Sequence, residues 1–103
     1  MMPTRRKNCV SSASGWVEEQ VEIPNPQGVH VRPAQLIVAN AEQFACDVAI
    51  RLGEKELNAK SIMQLLTLLA EKGDVLTIRA RGDDARQAVD ALVALVSDGF
   101  GEM

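Results

Sequence analysis

Aromatic side chains make up only 3% of the 103 residues: no tyrosine, one tryptophan and two phenylalanines. So thin a supply leaves little with which to stack nucleic-acid bases or grip a membrane interface. Charge argues the same way. The formal net charge is −3, and Arg5, Arg6 and Lys7 contribute +3, so the rest of the chain carries −6 and repels polyanions such as DNA. Nucleic acid is therefore excluded as a partner. Two cysteines, Cys9 and Cys46, are too few for a disulfide framework and lack the spacing of metal ligands. Both read as free thiols, suited to a reducing compartment. No apolar run approaches the roughly 18 residues of a membrane span, so no membrane insertion is expected and the expected location is cytoplasmic.

What remains is an ordinary globular mixture, 47% hydrophobic and 24% charged, long enough to close one core in one domain. Residues 1–15 are basic, rich in serine and without period, and read as a disordered leader ahead of a domain over 16–103. From Trp16 to Ile23, Val17, Val21 and Ile23 alternate with Glu18, Gln20 and Glu22, as in a strand that stops at Pro24-Asn25-Pro26. A helix is predicted from Pro33, with Ala34, Ile37, Val38, Ala41 and Phe44 as its buried stripe. Cys46 to Leu52 alternates again, and Gly53-Glu54 turns it into a short returning strand over Lys55 to Asn58. Cys46 falls on the inward side of that alternation, as a core thiol.

Ser61 caps a second predicted helix with Ile62, Leu65, Leu66 and Leu69 on its stripe, closed by Gly73. Met63 falls off that stripe. Val75 to Arg81 is a last strand, and Gly82-Asp83-Asp84 caps a third helix whose Ala85, Ala88, Val89, Leu92 and Val96 face inward. The order β-α-β-β-α-β-α, with a hairpin in the middle and no glycine-rich phosphate loop after the first strand, points away from a parallel doubly wound sheet. It predicts an α+β open-faced sandwich: a four-stranded, mostly antiparallel sheet covered on one face by three helices.

The one histidine, His30, lies in Asn25-Pro26-Gln27-Gly28-Val29-His30-Val31-Arg32-Pro33-Ala34. With Pro33 as the first helical residue, the imidazole and the Arg32 guanidinium stand at the helix entrance, where N–H groups and the positive dipole end attract anions. That is the chemistry of a phosphate-handling histidine. No carboxylate or nucleophile constellation accompanies it, so a stand-alone enzyme is not expected. Glu71, Asp74, Asp83 and Asp84 read as turn and cap residues, and neither a metal nor a cofactor is expected.

The stretch Asn25 to Ala34, followed by Asn58-Ala59-Lys60-Ser61-Ile62-Met63 and by Gly73-Asp74, resembles the HPr family of phosphocarrier proteins over about residues 17 to 100. The resemblance implies the same open-faced sandwich and makes His30 the phosphorylated residue. Its phosphoryl group would come through Nδ1 from the phosphohistidine of enzyme I, which phosphoenolpyruvate charges, and go to a receiver subunit of a sugar or nitrogen-type phosphotransferase system. Arg32 is then the phosphate-stabilising charge, because its planar fork matches phosphate oxygens. Ser61 corresponds to a regulatory site for HPr kinase/phosphorylase, so a regulatory binding protein switched at Ser61 is the alternative reading. Met63 supplies an adaptable apolar docking contact, and a monomer is expected. Val31 departs from the family pattern, where a small residue or threonine is usual beside the histidine; the basic leader is a second departure.

Overall fold

The computed structural model describes residues 15–101. Cys9 and all of the expected leader except Gly15 lie outside them. The elements run β1 (Val17–Glu22), α1 (Val31–Ala41), β2 (Asp47–Leu52), β3 (Lys55–Asn58), α2 (Ile62–Leu66), β4 (Val75–Arg81) and α3 (Ala85–Ser97), with a 3-10 turn at Gly99–Gly101. The sheet order is β1-β4-β2-β3, antiparallel throughout. Inserting the last strand between the first and second makes β4 and β2 the central strands. Period two then sets one face: Val21 pairs with Leu76, and Ile78 with Ile50, while Val48 sits opposite Ala80. All six are buried.

The helices cover that face, as the alternation predicts. Ile37 of α1, Leu65 of α2 and Val89, Leu92 and Val96 of α3 are fully buried, and α1 packs against both other helices. Each such side chain contributes roughly 1.5–3 kcal/mol on leaving water. The opposite face is polar and laced across strands. Arg79 of β4 donates to Glu18 of β1 at 2.5 Å and to Glu56 of β3 at 2.6 Å, and its guanidinium stacks 4.5 Å from the Trp16 ring centroid. This one side chain bridges both edges of the sheet.

Three local expectations need correction. The first helix starts at Val31, with His30 as its N-cap, so Pro33 is the third helical residue rather than the first. The shift costs nothing: the first intrahelical bond runs from Ala34 N–H to the His30 carbonyl (2.9 Å), and the N–H that proline lacks has no partner within the helix anyway. The second helix stops at Leu66 instead of reaching Gly73. Thr67 bends back to donate its hydroxyl to the Gln64 carbonyl (2.6 Å), and Leu69 turns into the left-handed region at φ 55°. Past that break the helical period no longer applies, so Leu68 is buried while Leu69 is 75% exposed.

Asp84 is the third. It occupies the N-cap of α3 but makes no side-chain cap bond there. Its carboxylate instead accepts from the Ala45 N–H (3.0 Å) and the Cys46 N–H (3.1 Å), tying the α1–β2 connection to the start of α3. Burial, with Asp84 beside it, pushes the Cys46 thiol up to about 11, while the Cys46 thiol and the Ala45 amide hold the Asp84 carboxyl below the usual carboxylate range. Both shifts predict pH effects on stability. A thiol whose folded pKa is raised stabilises fully below its ordinary value of 9.0, and that contribution disappears as pH rises through about 11. The urea midpoint of the native protein should therefore fall between those limits by more than that of Cys46→Ala. A lowered carboxyl acts at the other end. The gap between native protein and Asp84→Asn should be full at pH 7 and close as pH falls below about 4; a gap independent of pH contradicts the clamp.

Candidate functional site

The segment joining β1 to α1 is held from within and from behind. Asn25, between two prolines, is fully buried; its Nδ2 donates to the Gly28 carbonyl (2.8 Å), and its own carbonyl accepts from the Gly28 N–H (3.2 Å). Gly28 adopts φ 67°, and a Cβ there would lie 2.3 Å from the Ala70 carbonyl oxygen. Only glycine allows that approach. Behind the segment runs the connection from α2 to β4. The Val29 N–H donates to the Ala70 carbonyl (3.0 Å), Ile23 N–H donates to the Asp74 carbonyl (2.9 Å), and the Gly73 N–H donates to the Ile23 carbonyl (2.9 Å). These bonds fix the backbone that immediately precedes His30.

His30 has extended backbone angles (φ −122°, ψ −160°) and its ring does not cap the helix. The residue is half-buried and its Nε2 atom is buried. Beyond it, the N–H groups of Val31 and Arg32 have no intrahelical acceptor, and the first turn carries no acidic side chain. The positive end of an eleven-residue helix thus faces the histidine without local neutralisation. Arg32 is exposed and forms no ion pair with another described residue.

His30 and Arg32 therefore share one helical turn, while Ser61 and Met63 lie on α2, packed against α1. Ser61 is the N-cap expected of it: its Oγ accepts from the Gln64 N–H at 3.3 Å. Lys60 beside it is anchored, its Nζ donating to the Phe44 carbonyl at 2.7 Å. Met63 is 74% exposed and Val31 55%. Two supports of the site escaped the sequence reading, the buried Asn25 and the 68–74 connection behind Gly28. An asparagine flanked by prolines ahead of a glycine is the signal that could have found the first. A recess of about 330 Å³ lined by Asp47, Glu56, Asn58 and Lys60 is not lined by His30.

Comparison with known proteins agrees with that arrangement. The family described as PTS HPr component phosphorylation site matches residues 17–98. The chain is 42% identical over 78 residues to the phosphocarrier protein HPr of Haemophilus influenzae, covering 76% of this chain and 92% of that protein. It is 38% identical over 86 residues to the phosphocarrier protein NPr of Shewanella violacea, covering 84% and 94%. The crystal structure of HPr-C-His from Thermoanaerobacter tengcongensis superposes with a TM-score of 0.80 at 40% identity, covering 84% of this chain and 98% of that one. A histidine at the mouth of α1, on a four-stranded antiparallel sheet with three helices on one face, thus comes with a matching sequence over most of the length: the chain belongs to the HPr family of phosphocarrier proteins.

Proposed function

We propose that His30 carries a phosphoryl group, accepted from the phosphohistidine of enzyme I and passed to a receiver subunit of a phosphotransferase system of the sugar or nitrogen type. The observation that carries this reading is the state of the ring: His30 is half-buried at the head of α1 with Nε2 buried, which leaves Nδ1 as the nucleophile. The Nδ1 lone pair attacks phosphorus, and the bond from phosphorus to the donor's ring nitrogen breaks as the new one forms. The transferred group gains N–H partners from the first turn of α1 and the guanidinium fork of Arg32. Those partners are few and solvent-facing. The phosphohistidine is therefore stabilised only modestly, as a carrier that must also release it requires. The chain is a substrate of enzymes rather than an enzyme, acting as a cytoplasmic monomer.

Incubation with enzyme I and labelled phosphoenolpyruvate tests the reading. An acid-labile label is expected, absent from His30→Ala; a label that survives that substitution overturns the assignment. Ser61 supports a second, regulatory reading, because its Oγ is already at the head of α2 and partly exposed. Phosphorylation there by HPr kinase/phosphorylase would add negative charge next to Met63 and disfavour acidic partners. An acid-stable, ATP-dependent label lost in Ser61→Ala is the expected signature.

A further inference from the structure

We propose that Val31 sets the lifetime of the phosphohistidine by keeping water from its phosphorus, an inference that rests on the carrier reading of His30. Val31 is the first residue of α1, directly after the histidine, and its N–H is one of the helix-end donors without an intrahelical acceptor. The first turn divides its side chains. Pro33 and Ala34 are buried against the core, whereas Val31 is 55% exposed and Arg32 stands in solvent. Two side chains of that turn therefore border the anion-binding end of the helix, one charged and one apolar. The fold does not call for the apolar one. Over half exposed, Val31 gains little from burial, and a β-branched residue suits a helix less well than alanine.

Its geometry is nevertheless well defined. A helical Cα–Cβ bond tilts toward the helix N-terminus, so a side chain covers surface on the N-terminal side of its own Cα. For the first residue of a helix that surface is the helix end itself, where the N–H groups meet the phosphoryl group on His30. Branching at Cβ holds a helical valine at one χ1 rotamer, so both methyls keep their place there. Arg32 and the N–H groups bind phosphate oxygens; the methyls of Val31 bind nothing and occupy volume that water would fill. A phosphohistidine has a competing fate that makes this matter. The oxygen of a water molecule bonds to phosphorus, and the bond from phosphorus to Nδ1 breaks with its electron pair left on the ring nitrogen. One water proton stays on the released inorganic phosphate and the other returns to the ring. Each such event loses a phosphoryl group before the receiver takes it. Excluding water slows that side reaction without tightening the hold on a group the carrier must release.

The test uses the full chain, labelled by enzyme I and phosphoenolpyruvate and then separated from both, with the loss of acid-labile label at pH 7 followed beside the urea midpoint. Val31→Ala is expected to shorten the half-life of the label about threefold and to leave the urea midpoint unchanged or raised, since alanine keeps the N–H and favours the helix. Val31→Ile should keep the half-life within about 1.5-fold of the native value, because the branched apolar group remains. A half-life within about 1.5-fold of native in Val31→Ala overturns the proposal, as does a shortened half-life accompanied by a lowered urea midpoint, which is the mark of a displaced helix start. If the native protein takes no acid-labile label on His30, the carrier reading fails and this inference falls with it. A normal label with an insensitive half-life removes only the role of Val31.

Discussion

Gly28→Ala is expected to destabilise the protein by about 3 kcal/mol or more and to slow phosphoryl acceptance at His30 at least tenfold. The stability effect has two sources. Alanine at φ 67° enters the left-handed region, at about 1–2 kcal/mol. Its Cβ would also stand 2.3 Å from the Ala70 carbonyl oxygen and 2.8 Å from the Glu71 Cα, both backbone atoms that no side-chain rotation can clear. One of the two segments must move away. The bond most directly in its path runs from Val29 N–H to that same Ala70 carbonyl, and its loss adds about 1 kcal/mol. His30 follows Val29 directly, so the displacement reaches the imidazole and misaligns it for in-line transfer. Urea unfolding and transfer rates, measured on one preparation, check both parts. Unchanged stability would mean that the 68–74 connection does not buttress the site.

Arg32→Gln is expected to act on the chemistry alone. The guanidinium is exposed and makes no ion pair with another described residue, so its removal should leave the urea midpoint within experimental error. Transfer is another matter. Charge-assisted hydrogen bonds to phosphate contribute about 1.5–3 kcal/mol, which predicts a fall of roughly 10–100-fold in kcat/KM for acceptance from enzyme I. Arg32→Lys should recover part of the loss, since lysine restores the charge but not the two-pronged geometry. A rate unaffected by Arg32→Gln would leave the N–H groups of α1 as the whole of the phosphate's support.

Most of the architecture was readable because the chain obeys local periods. Val48, Ile50, Leu76, Ile78 and Ala80 alternate so cleanly that strand and buried face follow together, and Val89, Leu92 and Val96 do the same for α3. The period misleads where a particular hydrogen bond, local at Thr67 and distant in sequence at Asp84, overrides it. Leu69 matches a helical stripe, yet Thr67 closes the helix two residues earlier and sends Leu68 inward in its place. Asp84 has the sequence of a cap, yet its carboxylate is drawn to amides nearly forty residues upstream. That His30 and Arg32 stand together at the start of α1 was legible from the sequence, although the helix begins two residues before Pro33. The support from Ala70 was not, since a carbonyl acceptor leaves no mark on side-chain sequence.

The state of the His30 ring is also the easiest to observe, because the chain has one histidine and its 15N-labelled imidazole gives one pair of ring-nitrogen signals. Long-range 1H–15N spectra recorded before and after incubation with enzyme I and phosphoenolpyruvate follow both nitrogens of that single ring. The account predicts that the phosphoryl group appears on Nδ1, while Nε2 stays unmodified. Phosphorylation at Nε2, or an imidazole unchanged while the protein takes up label, would contradict it.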